Sequence, residues 1–189
     1  MNQKKSSNLT AIALFFAAML VIHVLSSIVF SIWPVPIRPT LTHIPVIIAA
    51  IVYGPRVGSV LGLLMGIISV VTNTVIILPT SYLFSPFVEN GNLASLVIAI
   101  IPRVLIGIFP YFIYKWLHSK TGLALAGAVG SLTNTVFVIT GIFIFFSSVY
   151  RNDIQTMLAA VITASSLAEL LISIFLTSAI VPTIERLKK

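Results

Sequence analysis

Four side chains can do chemistry from inside stretches that are otherwise apolar. Arg103 stands in IPRVLIG at 101–107, and Glu169 stands in SSLAELLISIFLTSA at 165–179. Asn73 and Asn134 sit at the centres of two near-identical phrases, VTNTV at 71–75 and LTNTV at 132–136. A guanidinium offers a planar fork of N–H donors that can hold a carboxylate through two parallel bonds. An amide donates and accepts, and a carboxylate accepts or pairs with the guanidinium. These are groups for holding a polar molecule. Nothing beside them makes or breaks bonds. The chain has no cysteine and therefore no thiol nucleophile, disulfide or thiolate metal site. It has no HExxH and no GxSxG, and no GxxxxGK(S/T) phosphate loop to hydrolyse ATP. His23, His43 and His118 are scattered and have no carboxylate companions at metal-ligand spacing.

The elements that must position these groups lie in lipid. Of the 189 residues, 58% are hydrophobic and only 8% charged. A water-soluble domain carries about 25% charged residues, so this inventory cannot cover a water-facing surface. A membrane-spanning helix needs about 20 apolar residues. Six segments read as helices: 9–30, 43–54, 56–77, 93–117, 121–147 and 154–181. The second is short, follows the proline-rich SIWPVPIRPT at 31–40 and ends at GPR, so it is tilted or only partly spanning. The apolar run of the first is longer than a signal-peptide core and no small-residue cleavage site follows, so it reads as a retained span. The fold class is all-α, a polytopic membrane protein forming one integral membrane domain over 1–189.

Charge sets the orientation. With the N-terminus inside, Lys4, Lys5, Arg56, Lys115, Lys120, Arg186, Lys188 and Lys189 are cytoplasmic, while only Arg38 and Arg151 face out. Basic residues favour the cytoplasmic side, so both termini are placed there. The net charge of +7 is therefore an orientation signal. The basic residues form no patch interleaved with aromatics, which argues against nucleic acid. The three outward loops, 31–42, 78–92 and 148–153, are more elaborate than the inner turns, which fits capture of something from outside.

Helical spacing aims the polar groups inward. Gly58, Gly62, Gly66, Ser69 and Asn73 share one face of the third span; Gly122, Ala126, Gly130, Asn134 and Gly141 share one face of the fifth. Small residues at this spacing let membrane helices approach closely. Asn134 either joins helices or lines a polar cavity, while Asn73 reads as structural. Arg103 is about ten residues into its span and so near mid-membrane at about 1.5 Å per residue. Ser166, Glu169, Ser173 and Thr177 form a polar stripe on the sixth. A charge at the bilayer centre costs upwards of about 2.5 kcal/mol. Arg103 and Glu169 therefore either neutralise each other or contact a polar substrate. At the outer mouth lie Trp33, Arg38, Thr40 and His43, then Tyr82, Asn90 and Asn92, then Tyr150 and Arg151. Aromatic residues there also suit a membrane-interface belt. Ala13 and Ala17 make a small-residue face near the cytoplasmic end of the first span, where a helix of this chain or of a partner can pack.

Size, six spans with both ends inside, the short second span, Ala13-xxx-Ala17 and THIPVIIAAIVYGPRVGSVLGLLMG at 42–66 together resemble a known family. It is the substrate-binding S components of energy-coupling factor (ECF) vitamin transporters. The segment 42–66, SPFVENGNL at 85–93 and IPRVLIG at 101–107 are most similar to the pantothenate-type members. The resemblance covers the whole chain. It implies a subunit of the bacterial cytoplasmic membrane that binds a vitamin from outside, topples in the membrane and has no cofactor of its own. It implies an EcfT-type coupling subunit docked on Ala13 and Ala17, and two EcfA-type ATPases that carry ATP and Mg. It implies a gate around Trp33–Thr40. Substrate contacts would come from Trp33, Arg38, His43, Asn92, Arg103, Asn134 and Glu169. An S component for another vitamin or precursor (cobalamin, folate, hydroxymethylpyrimidine) fits the same inventory. A stand-alone channel or secondary carrier, or a purely structural membrane subunit, is the reading from a different class.

Overall fold

The computed structural model describes residues 3–32, 41–146 and 164–187. Seven α-helices occupy most of these: α1 (Gln3–Ile32), α2 (His43–Tyr53), α3 (Pro55–Val75), α4 (Leu93–Ile106), α5 (Phe109–Trp116), α6 (Lys120–Phe146) and α7 (Ala164–Leu187). One turn of 3-10 helix, Ser81–Leu83, lies in the α3–α4 loop. Among the described residues, five stretches are long and apolar enough to cross a membrane: Ser7–Val29, Pro55–Val75, Leu93–Trp116, Lys120–Phe146 and Ser166–Leu187.

The expected second span is the short α2. Its 11 residues rise about 16 Å, roughly half of the hydrocarbon core. Instead of meeting lipid it fills the middle of the bundle, and every residue from His43 to Ile51 is buried. It packs against α1, α3, α5, α6 and α7. Gly54 ends it at φ 93°, a left-handed conformation that glycine adopts freely, and Pro55 then opens α3 with its fixed φ.

The expected fourth span, 93–117, is broken. α4 stops at Ile106, Gly107 and Ile108 bond back only three residues, to Val104 and Leu105, and α5 starts at Phe109. Pro110 explains the break: it has no N–H, and its ring collides with the preceding turn of a continuous helix. The outer helices overrun their apolar stretches. α1 begins at residue 3 and α7 continues to Leu187, because a helix need not end where the lipid does. Residues 154–163 of the expected last span lie outside the described residues.

The glycine stripe of α3 packs as its spacing predicts. A methyl group on Gly58, Gly62 or Gly66 would meet the α4 backbone at Gly107, Arg103 or Ala99 respectively. On α6, Gly130 sits against Ile47 and Pro110, and Gly141 against Ile98. Gly127 lies off the expected α6 stripe, yet it is the residue that lets α7 approach, at Ser173 and Ile174.

Two ends of the bundle can be distinguished. Phe15 packs edge-on to Tyr53 at 5.9 Å, and the Tyr114 hydroxyl donates to Glu185 at 3.3 Å. The start of α1, the α2–α3 turn, the end of α5 and the end of α7 therefore gather at one end. The 78–92 loop lies at the other.

Candidate functional site

The two similar phrases do different work. In the first, Thr72 shares a hydrogen bond with His23 Nε2 of α1 at 3.1 Å. Asn73 donates to the Ser69 carbonyl at 2.8 Å and accepts from Ser81 at 3.2 Å. Thr74 bonds Ser85 at 2.7 Å. Three consecutive side chains thus fasten α1 and the 78–92 loop to one turn of α3. Asn73 is structural, as expected. In the second phrase Thr133 bonds its own helix, at the Val129 carbonyl, at 2.6 Å. Asn134 holds a buried Oδ1 that has no hydrogen-bond partner among the described residues.

Arg103 is just 6% exposed. Pro102 beside it has no N–H, so the Ile98 carbonyl, one helical turn back, lacks its usual backbone donor. Arg103 Nη1 donates to that same carbonyl at 2.6 Å. The guanidinium also lies over the Phe84 ring at 5.2 Å, a cation–π contact from the loop above. Glu169 attracts it electrostatically. Arg103 Nε is buried and has no hydrogen-bond partner among the described residues. Part of the guanidinium's donor fork is thus left unpaired among the described residues.

Packing contacts set the relative heights of these groups. Ile47 meets Gly130, so one turn toward the loop His43 comes level with Asn134. Ser173 donates to the Gly127 carbonyl at 2.9 Å, so one turn toward the loop Glu169 comes level with Ser131. Ile98 meets Gly141, which puts the Arg103 backbone level with Val136. His43, Arg103, Asn134 and Glu169 therefore share a layer spanning about 8 Å along the bundle axis. His43 is fully buried and Glu169 is 8% exposed. Ser173 and Thr177 are buried on the Glu169 face, and Thr177 Oγ1 has no hydrogen-bond partner among the described residues.

Other sequence candidates fall elsewhere. Asn92 is exposed and caps α4, accepting from the Ala94 N–H at 2.8 Å. It lies about 16 Å along that helix from Arg103, and a side chain so engaged at a helix start is not drawn into the layer. Ala13 and Ala17 are exposed on α1, whose bundle-facing side presents Ala11 and Met19. Trp33, Arg38 and Thr40 lie outside the described residues, as do Tyr150 and Arg151. Sequence reading missed Phe84 and the Ile98 carbonyl. The second was detectable, because a proline inside a helix frees the carbonyl four residues earlier.

Residues 7–185 match the family model described as "ECF transporter, substrate-specific component". The chain belongs to this family. This S component is 44% identical over 191 residues to "Pantothenic acid transporter PanT" of Lactococcus lactis subsp. cremoris (strain MG1363), covering 98% of this chain and 97% of that one. It is 27% identical over 172 residues to "Pantothenate transporter PanT" of Leuconostoc mesenteroides subsp. mesenteroides, covering 79% and 78%. Named transporters as relatives and five membrane-length apolar stretches among the described residues make this S component a multi-pass protein of the cytoplasmic membrane.

Proposed function

We propose that this S component captures pantothenate from outside the cell for uptake driven by ATP hydrolysis on partner subunits. The observation that carries the reading is the layer holding Arg103 and Asn134, each with a buried polar atom that has no hydrogen-bond partner among the described residues, in a chain 44% identical to a named pantothenic acid transporter. Pantothenate carries a carboxylate, an amide and two hydroxyls. The Arg103 fork suits the carboxylate, the Asn134 carbonyl accepts from the amide N–H or a hydroxyl, and Glu169 balances the guanidinium charge when the site is empty. An S component for cobalamin, folate or hydroxymethylpyrimidine is less favoured, because the two relatives carry pantothenate in their names.

The remaining features follow as proposals. The chain acts as one membrane domain over 1–189 with six membrane-embedded segments, α2 being the short one. The end carrying Arg56, Lys115, Lys120 and Arg186 faces the cytoplasm, as basic residues prefer, and both termini are there. An EcfT-type coupling subunit docks on α1 at Ala13 and Ala17, and two EcfA-type ATPases supply ATP and Mg, with no cofactor on this chain. Proteoliposomes test this against a stand-alone channel or carrier. Labelled pantothenate should accumulate only when the coupling subunit, both ATPases and ATP are present. Flux through this chain alone would refute the proposal.

A further inference from the structure

We infer that Phe84 and the Ile98 carbonyl form a preset cradle that positions the Arg103 guanidinium, so that a residue of the outer loop helps select a ligand bearing a negative charge. The inference rests on Arg103 receiving the substrate carboxylate, as proposed above.

A free arginine side chain has several rotatable bonds, and ordering it on binding weakens affinity. Here the ordering is done beforehand by two groups from different elements. Pro102 frees the Ile98 carbonyl, and Nη1 docks on it at 2.6 Å. Phe84 covers the guanidinium at 5.2 Å. The segment that carries the ring is itself anchored before and after Phe84. Leu83 before it is buried in the cluster of Ile98, Val138, Ile142 and Phe146, and Ser85 after it is fully buried and bonded to Thr74 at 2.7 Å. With Nη1 occupied and one face under the ring, Nε remains without a partner among the described residues. Nε belongs to the side-on edge of the guanidinium, which takes a carboxylate through two parallel N–H bonds. The cradle thus leaves open the edge that discriminates a carboxylate from an alcohol.

The test compares two ligands on one protein preparation. Pantothenol has an alcohol where pantothenate has the carboxylate, and is otherwise the same molecule. Equilibrium binding of both is measured on the purified full chain and on Phe84→Leu, Phe84→Tyr, Pro102→Ala and Arg103→Gln. Phe84→Leu should weaken pantothenate about tenfold and pantothenol by no more than about twofold, the scale of a desolvated cation–π contact. Phe84→Tyr keeps the ring face and should restore the wild-type ratio. Pro102→Ala returns a backbone donor to Ile98 and should lower the ratio in the same direction. A purely structural Phe84 would weaken both ligands equally, and that result overturns the inference. So does an unchanged ratio in both Phe84→Leu and Pro102→Ala while Arg103→Gln loses all preference for pantothenate. Full preference in Arg103→Gln, or no pantothenate binding by the wild type, overturns the carboxylate clamp and the cradle together.

Discussion

At the residue scale, Asn73 and Asn134 should respond oppositely to truncation. Asn73→Ala removes one of two acceptors that share the buried Ser81 hydroxyl proton and leaves the Ile76 carbonyl, also at 3.2 Å. Losing one such intramolecular hydrogen bond without stranding its donor costs about 0.5–1.5 kcal/mol. Thermal unfolding in detergent should show that loss, and the preference between pantothenate and pantothenol should not change. Asn134→Ala removes a carbonyl oxygen that bonds nothing among the described residues. Its stability cost should stay under about 1 kcal/mol, while pantothenate affinity falls about tenfold or more, the worth of a buried hydrogen bond. Arg103→Lys keeps the charge but loses the planar fork. It should weaken pantothenate about tenfold, because an ammonium holds a carboxylate as a point charge without the paired geometry. Two near-identical five-residue phrases thus predict opposite phenotypes, and only the three-dimensional neighbours tell them apart.

At the element scale, α3 and α4 touch backbone to backbone. Gly62→Ala would drive a methyl group into the main chain at Arg103 and Val104, which cannot swing aside as a side chain can. The expected result is about 1–3 kcal/mol of lost stability from overpacking. Pantothenate binding should fall with it, since the strain lands on the Arg103 backbone; a melting curve and a binding isotherm on the same sample check both. Much of this scale was legible in the sequence. Glycines four apart announced a close helix contact on that face of α3, though not that α4 makes it, and spacing put Glu169, Ser173 and Thr177 on one face, which is buried. The break between α4 and α5 was not drawn from the sequence, although Pro110 was its cause, because continuous hydrophobicity outweighed one proline. Gly127 escaped notice because it lies beside the regular four-residue series. Phe84 over Arg103 joins a loop to a helix 19 residues later, and no spacing rule reaches across such a gap. Asn92 looked like a pocket group, but an asparagine just before an apolar helix is also the usual cap.

At the scale of the whole molecule, the proposed function separates capture from coupling. The candidate ligand groups lie in one layer beneath the 78–92 loop, while Ala13 and Ala17 are exposed on α1, toward the opposite end. Replacing both alanines with tryptophan should leave pantothenate binding by the isolated chain unchanged. It should abolish ATP-driven uptake in proteoliposomes that contain the partner subunits, because bulky rings block close helix approach. Loss of binding in that variant would show that the α1 face and the ligand layer are not separable. The membrane class, the inward direction of the polar groups and the family resemblance were all readable before any coordinates. The division of labour among those polar groups was not, because it depends on which hydrogen bonds the fold has already filled.

The central claim is that this chain alone forms a binding site for pantothenate. Equilibrium binding of radiolabelled pantothenate to the purified chain, without partner subunits or nucleotide, tests it most directly. The account predicts saturable binding at one site per chain, displaced by unlabelled pantothenate and weakened by Arg103→Gln. No saturable binding to the folded chain, or binding that Arg103→Gln leaves intact, would contradict it.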